Sequence, residues 1–435
     1  MAITKIADNI GMKNGNLTFA GQDTVMLANK YGTPLYLMDE GRIRNNCKTY
    51  LDIFQKCFPE GSKVLYASKA CSFMQMYRIV KEEAMGIDVV SPGEIETAFK
   101  AGYDMSQAYF HGNAKTDADI TFAFDRGIGT FVVDNPEELY AVEAEAASRG
   151  IKQRIMLRVT PGIDPHTYEA VATGKVDSKF GSAVETGQAY TFTKQALDQP
   201  HLDLVGFHCH VGSQVFEEDV YERTITVMTA FMADIQKQYG FVTKELNLGG
   251  GFGVPYVDSD GMPDVPNKVK DIADALHSSC KKHGIPVPVF LMEPGRSIVA
   301  DAGMTLYTVC SVKRIPGYKS YVAIDGGMTD NPRFALYGSK YTCFVANRMD
   351  EPRKLTVSVV GRCCESGDII QENVPVPDGT GRGDIVAVCT TGAYNYSMAS
   401  NYNRIPRPSV VMLKDGDSYI AVKRESYEDL LINDK

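Results

Sequence analysis

The sequence predicts an α/β chain: a (β/α)8 barrel of the TIM type followed by an antiparallel β-barrel or β-sandwich domain. Three observations predict it. Between about residue 60 and residue 300, eight short apolar runs alternate with stretches of helical periodicity. A polar, charged or glycine residue stands at the end of each run. After Asp301 the texture changes to short β-branched and aromatic runs separated by turns.

The first 35 residues look β-like, with Asn14-Gly15-Asn16 as a turn, and are expected to join the C-terminal domain. That leaves 36–300 for the barrel and 301–435 for the β domain. The eight barrel runs are Val64–Ser68, Ile87–Ser91, Ala108–Gly112, Thr130–Asp134, Ile155–Thr160, Leu204–His210, Glu245–Leu248 and Val289–Met292. Helical stretches follow, such as Phe73 to Met85 and Glu137–Arg149. At the run ends stand Lys69, Ser91-Pro92-Gly93-Glu94, Gly112 to Lys115, Asp134-Asn135, Arg158, His210 to Ser213, Gly249-Gly250-Gly251 and Glu293 to Arg296. In a barrel of this kind the C-terminal strand ends carry the active site. One polar strand end is expected by chance, but eight in register are not. The β domain is read from Thr305–Val312, Tyr321–Ile324, Leu355–Val360, Asp384–Cys389, Val410–Leu413 and Tyr419–Val422, with Asp415-Gly416-Asp417 as a turn and Pro375-Val376-Pro377 as a surface loop. No internal repeat or low-complexity tract interrupts this order.

Composition sets the class. A chain of 435 residues exceeds one ordinary domain, so two are expected. Hydrophobic content of 44% with 23% charged residues describes a soluble globular protein. A net charge of −9 argues against nucleic acid or an anionic membrane as the main partner. The ten cysteines include no C-x-x-C pair, and adjacent Cys363 and Cys364 are badly placed to bridge each other. This is cytosolic cysteine usage, with neither a disulfide frame nor a zinc site. The N-terminus lacks an apolar signal core, and no stretch is long enough to span a membrane, so a cytoplasmic location is expected.

The chemistry-bearing residues sit at the run ends. Lys69 closes Tyr66-Ala67-Ser68 at a strand-to-helix junction. Such a lysine is commonly a solvated surface charge. Turned inward and partly desolvated, its amine becomes a candidate for a Schiff base with a carbonyl cofactor. Gly249-Gly250-Gly251-Phe252-Gly253 offers bare amides that can cradle a phosphate, and equally reads as a tight structural turn. It is not a dinucleotide fingerprint, because Val254 stands where the third glycine belongs. Glu293-Pro294-Gly295-Arg296 joins an acid suited to a protonated ring nitrogen with a guanidinium suited to phosphate or carboxylate; the plainer reading is a structural ion pair. In His208-Cys209-His210 at most one imidazole is expected to face the site, and His210, beside Gly212-Ser213, is the better placed; no metal is expected. Cys363-Cys364-Glu365-Ser366-Gly367-Asp368 sets thiols beside two carboxylates, although a buried cysteine often serves only as a small hydrophobe. Tyr394 in Gly392-Ala393-Tyr394-Asn395-Tyr396 is either a phosphate donor or a core tyrosine.

Taken together and in order, these residues resemble the fold type III pyridoxal-phosphate enzymes, the alanine racemase and ornithine decarboxylase-like group. Within that group the chain is similar to the diaminopimelate decarboxylases. The resemblance runs from Asn14 to Leu17 and Tyr31 to Tyr36 through Tyr66–Ala70, Asp88–Glu94, Ser178 to Gly181, Gly206 to Gln214, Gly249–Gly251 and Glu293–Arg296. It continues through Asp325 to Met328, Arg333 with Tyr337, Cys364–Asp368, Gly392–Tyr394 and Met398 to Asn403. Two positions depart from the family pattern. Phe334 stands where the family has proline, leaving the Arg333–Tyr337 spacing intact, and Cys363 is a second thiol where an apolar residue is expected.

The resemblance implies pyridoxal 5'-phosphate as cofactor and decarboxylation of meso-2,6-diaminopimelate to L-lysine and CO2, the last step of lysine biosynthesis. It makes Lys69 the Schiff-base amine. Gly250, Gly251, Ser213, Arg296 and Tyr394 would bind the cofactor at its phosphate end, Glu293 at the pyridine nitrogen and His210 on the ring face, with Gly295 also binding the cofactor. Arg296, Arg333, Tyr337, Glu365 and Tyr394 would hold the substrate. Cys364 would be the proton donor, supplied by the partner subunit of a homodimer with shared sites. The residue types suit this chemistry: a distal carboxylate needs a cation, for which Arg333 is the candidate, and a distal ammonium needs an anion, for which Glu365 is the candidate. Alternatives are a decarboxylase of ornithine, arginine, lysine or carboxynorspermidine, those lacking a distal carboxylate having no need of Arg333, a racemase, or a non-catalytic binding homologue, which should have lost the lysine or the phosphate groups.

Overall fold

A computed structural model describes residues 3–164, 178–217 and 219–435. The chain forms two compact units, one of residues 1–45, 254–262 and 296–435 and one of 46–253 and 263–295. The barrel occupies the second unit. Its eight strands, Lys63–Ala67, Gly86–Val89, Ala108–Phe110, Thr130–Val133, Gln153–Thr160, Leu202–His208, Glu245–Asn247 and Val289–Met292, pair in parallel in chain order. Leu291 and Met292 pair with Lys63 and Val64, which closes the sheet on itself. Strands covered on both faces read as apolar runs, which is why all eight were visible in the sequence.

Helices return the chain between strands, and their ends follow local chemistry. Ser91 accepts the N–H of Glu94 ahead of Pro92–Lys100. Thr116 and Asp119 form a reciprocal capping box at Asp117–Asp125, and Asn135 with Pro136 starts Pro136–Arg149. Gly150, Gly240 and Gly284 end three helices in the left-handed region. Leu65, Tyr109, Val132, Met156, Val205 and Leu291, from six different strands, meet in one buried cluster that fills the barrel.

In the first unit, one sheet runs in the order Ile369–Val376, Leu355–Val360, Ser320–Ile324, Gly303–Arg314, Leu35–Asp39, Ser409–Lys414, Asp417–Val422. Ile385–Cys389 pairs with both Gly303–Arg314 and Cys343–Val345. Antiparallel ladders predominate, with parallel pairing where Leu35–Asp39 meets Ser409–Lys414 and where Ser320–Ile324 meets Leu355–Val360. A small hairpin of Ile10–Lys13 and Asn16–Phe19 turns at Asn14 (φ 53°) and Gly15 (φ 79°), and its Leu17 and Phe19 join the core with Leu35, Leu37, Met304 and Leu306. The expectation of a loop at Pro375-Val376-Pro377 is corrected: Pro375 and Val376 end the strand Ile369–Val376, opposite Thr356 and Leu355. That strand lies at the sheet's edge, where a proline's missing N–H costs no ladder bond. Among the described residues no helix is long and apolar enough to cross a membrane.

Candidate active site

At the C-terminal end of the barrel, residues from five strands converge on one carboxylate. Glu293 directly follows the eighth strand and is 4% exposed. Asn247, ending the seventh, donates its Nδ2 to Glu293 Oε1 at 2.6 Å. His208, ending the sixth, lies 3.3 Å from Oε2. His111, just past the third, places Nε2 2.8 Å from Oε1 and 3.9 Å from Asp88 Oδ1 on the second. Burial opposes ionisation of Glu293, but the charge of His111 and the hydrogen bond from His208 outweigh it and hold the carboxyl well below the usual range. Burial in turn drives His208 down to about 3, so that imidazole is neutral and donates Nε2–H to the carboxylate.

Lys69 stands on a short turn, Ser68–Ala70, directly after the first strand. Its side chain is 41% exposed and its Nζ lies 3.4 Å from the fully buried Asp88. Burial pushes the Glu94 carboxyl up to about 7, with the Val90 N–H pulling the other way. His210 is also driven well below its ordinary value, first by burial and then by the charges of Lys69 and Arg158. His208 ends its strand and His210 stands two residues beyond it. Both imidazoles sense Glu293.

The glycine loop is packed too tightly for any side chain. A Cβ on Gly250 would fall 2.1 Å from the carbonyl oxygen of Glu293, and one on Gly251, at φ 122°, 2.5 Å from that of Gly212. Carbonyls of Gly250 and Gly251 are engaged by the Tyr221 hydroxyl and the Val215 N–H. Their own N–H groups donate to no acceptor among the described residues. Ser213, half-buried, follows Gly212 on the preceding turn. Gly295 would bring a Cβ to 2.9 Å from Ala67 Cβ, so it packs against the strand end that carries Lys69.

The first unit holds a second cluster. Arg296 is buried, donates to the Tyr256 hydroxyl at 2.6 Å and lies with Cζ 4.7 Å from the Tyr394 ring centre. Arg333, also buried, lies 5.4 Å from the same ring and 5.3 Å from that of Tyr337. Tyr394 holds φ at 61°, a strained value for a tyrosine. Among the described residues the Arg333 side chain makes one weak hydrogen bond, 3.4 Å to Ser339 Oγ, while its Nε is buried without a hydrogen-bond partner. Among the described residues it pairs with no carboxylate. Cys364 and Glu365 are exposed on a turn and share no hydrogen bond or ion pair with this cluster among the described residues. Cys363 is buried, and burial followed by Asp368 pushes its thiol up to about 12.

Residues 41–300 match the family described as pyridoxal-dependent decarboxylase, pyridoxal binding domain. The diaminopimelate decarboxylase of Bacillus subtilis (strain 168) is 42% identical over 419 residues, covering 96% of this chain and 95% of that protein. That of Staphylococcus aureus (strain COL) is 42% identical over 424 residues, covering 97% and 98%. A crystal structure of diaminopimelate decarboxylase from M. jannaschii in complex with L-lysine aligns with a TM-score of 0.90 at 33% identity, covering 98% of each chain.

The chain belongs to the diaminopimelate decarboxylase family.

Sequence reasoning about this family member left several site residues without roles: Asp88, Glu94, His111, His208 and Asn247. Each stands at or just beyond a strand's C-terminal end, which was the available signal. Their convergence on Glu293 and Lys69 depends on barrel closure. His111, His208 and Glu293 together have the composition of a metal site, with donor atoms within 4.8 Å of one another. Here the carboxylate oxygens instead accept hydrogen bonds from Asn247 and His208. A separate cavity of about 740 Å³ lies at the N-terminal strand ends, lined by Phe54, Phe58, Lys63, Lys81 and Tyr103, and none of these site residues reaches it.

Proposed function

We propose that this chain decarboxylates meso-2,6-diaminopimelate to L-lysine and CO2 with pyridoxal 5'-phosphate as cofactor. The residues present fit that group. A lysine amine beside a buried acid, two glycine N–H groups without acceptors and a buried ionised carboxylate match an aldehyde, a phosphate and a ring nitrogen respectively. When bound, the cofactor supplies an aldehyde for amines and a cationic ring that takes up the electron pair left at Cα as CO2 departs.

The chain's own residues do the rest. Lys69 Nζ would hold the aldehyde carbon, with Asp88 fixing the amine's position. Gly250, Gly251 and Ser213, with Arg296 and Tyr394, would hold the phosphate end, and Gly295 would bind the cofactor beside the strand end that carries Lys69. Glu293, kept anionic, would keep the ring nitrogen protonated, and neutral His210 would lie on the ring face. Arg296, Tyr337 and Tyr394 would help hold the substrate. Cys364 would give its thiol proton to the former Cα and regain one from solvent. The buried Cys363 thiol, pushed up to about 12, is the poorer choice. Glu365 would meet the distal ammonium. We place the enzyme in the cytoplasm as a homodimer with sites shared between subunits. None of the ten cysteines forms a disulfide, which supports the first point.

The observation that carries the substrate assignment is Arg333. A buried guanidinium without a carboxylate partner among the described residues is costly. A second amino acid head supplies the missing anion, whereas ornithine and lysine do not. The test is CO2 release from a panel of meso-diaminopimelate, lysine, ornithine and arginine. Wild type should prefer diaminopimelate by orders of magnitude, and Arg333→Ala should lose about 100-fold or more in kcat/KM on it. Equal turnover of ornithine by the wild type defeats the assignment.

A further inference from the structure

The turn that carries the thiols lies between Leu355–Val360 and Ile369–Val376. Most of its N–H groups are satisfied from within. Glu365 donates to the Cys363 carbonyl at 2.8 Å, Asp368 to that of Glu365 at 3.2 Å, and Gly367 to Glu365 Oε1 at 3.1 Å. The Cys363 N–H goes to the buried Asp368 Oδ2 at 2.7 Å, while Asp368 Oδ1 takes the Met328 N–H at 2.7 Å. The Cys364 N–H finds no acceptor in the turn. It donates to Asn403 Oδ1 at 2.8 Å, 39 positions further along the chain. Because an N–H faces it, the Asn403 side chain must present its oxygen there.

Asn403 is presented at a backbone cost. It holds φ at 51° and Arg404 at 58°, two consecutive left-handed residues without a glycine. The surrounding loop supports that shape. Ser400 donates its N–H to the Thr329 carbonyl at 2.8 Å, Asn401 Nδ2 reaches Glu425 Oε2 at 2.7 Å, and Arg404 Nη2 meets the Leu430 carbonyl at 3.1 Å and Asp434 at 2.8 Å. Thr329 adjoins Met328, which Asp368 holds. The thiol turn and the 400–404 loop are therefore fastened to one short stretch, and Asn403 spans from the loop to the reacting residue's own peptide.

We infer that Asn403 is a positioning residue for Cys364: it fixes the Cys364 peptide, and through it the direction of the Cα–Cβ bond that aims the thiol. The inference rests on the reading of Cys364 as the proton donor. Proton transfer needs the thiol within hydrogen-bond reach of the accepting carbon, and a misplacement of ~1 Å costs on the order of 100-fold.

The test uses holoenzyme and meso-diaminopimelate. Asn403→Gly keeps the left-handed backbone without strain and removes only the acceptor. Asn403→Asp keeps an oxygen at the same place. Asn403→Gly should lose about 10–100-fold in kcat with KM within about twofold, and Asn403→Asp should recover most of the rate. Cys364→Ala should be severely slowed, and Cys364→Ala/Asn403→Gly should be no slower than Cys364→Ala alone, because both changes remove one function. If Asn403→Gly matches wild type, if Asn403→Asp is as slow as Asn403→Gly, or if the double variant shows the product of both losses, the positioning role is wrong while the donor stands. If Cys364→Ala retains full activity, the donor reading itself falls and takes this inference with it.

Discussion

Replacing Glu293 by glutamine keeps the shape of the side chain and removes its charge, so its cost can be worked from the donors around it. Oε1 faces Asn247 Nδ2 at 2.6 Å and His111 Nε2 at 2.8 Å; Oε2 faces His208 Nε2 at 3.3 Å. The glutamine oxygen should stay where Oε1 accepts from Asn247, which turns its NH2 toward His208. His208 can answer by moving its proton to Nδ1, but Nδ1 is buried without a partner. One buried N–H is then left unsatisfied, at about 1–3 kcal/mol, and two charge-assisted bonds become neutral ones at ~1 kcal/mol each. A neutral amide is cheaper to bury than a carboxylate, so part of this returns, leaving a net loss of about 2 kcal/mol. For the barrel unit, this lowers the melting temperature of the cofactor-free protein by about 4–8 °C. Folded Glu293 titrates below an unfolded glutamate. The wild-type advantage is therefore fully present above the unfolded value and fades as pH falls through the folded one. Calorimetry of both proteins at neutral and acid pH measures this. CO2 release by the cofactor-loaded variant should also fall by about 100-fold, because an amide cannot hold the ring nitrogen's charge. A melting temperature within 1 °C of wild type, together with retained turnover, refutes the placement of Glu293 at the centre of the site.

Other outcomes follow from the same geometry. Lys69→Ala should bind no cofactor covalently, so the visible absorbance of the wild-type protein should be absent; a borohydride-reduced peptide map carrying the label on another lysine overturns this. His208, held to about 3 by burial, stays neutral in the fold while the unfolded chain takes up a proton near pH 6.5. Stability should therefore fall as pH drops below that value, with a shallower fall in His208→Asn, and equal slopes in urea titrations of the two proteins contradict it. For shared sites, co-refolding Lys69→Ala with Cys364→Ala puts both defects in one site of a mixed dimer and none in the other. About half the dimers are then mixed and roughly a quarter of wild-type activity should return. Confirmed heterodimers without activity mean that each site is built within one chain.

The sequence by itself determined the barrel, because a parallel strand buried on both faces must be an apolar run and its end must be punctuated. All eight strands fall within a few residues of their expected limits, and Val289–Met292 matches its limits. Lys69, Glu293 and the glycine loop were legible for the same reason: each directly follows a run. The strand Ile369–Val376 was not, because Pro375 reads as a loop. Only the tertiary structure decided which strand ends meet. His111 and Asn247 stand 136 residues apart in the chain, yet both lie against Glu293 once the eighth strand pairs with the first. It likewise decided that Val254–Met262 leaves the barrel for the other unit, and that Arg333 and Arg296 flank the Tyr394 ring. These are long-range contacts between side chains whose local sequence is compatible with many neighbours. Closure of the sheets, a cooperative property of the whole chain, selects among them.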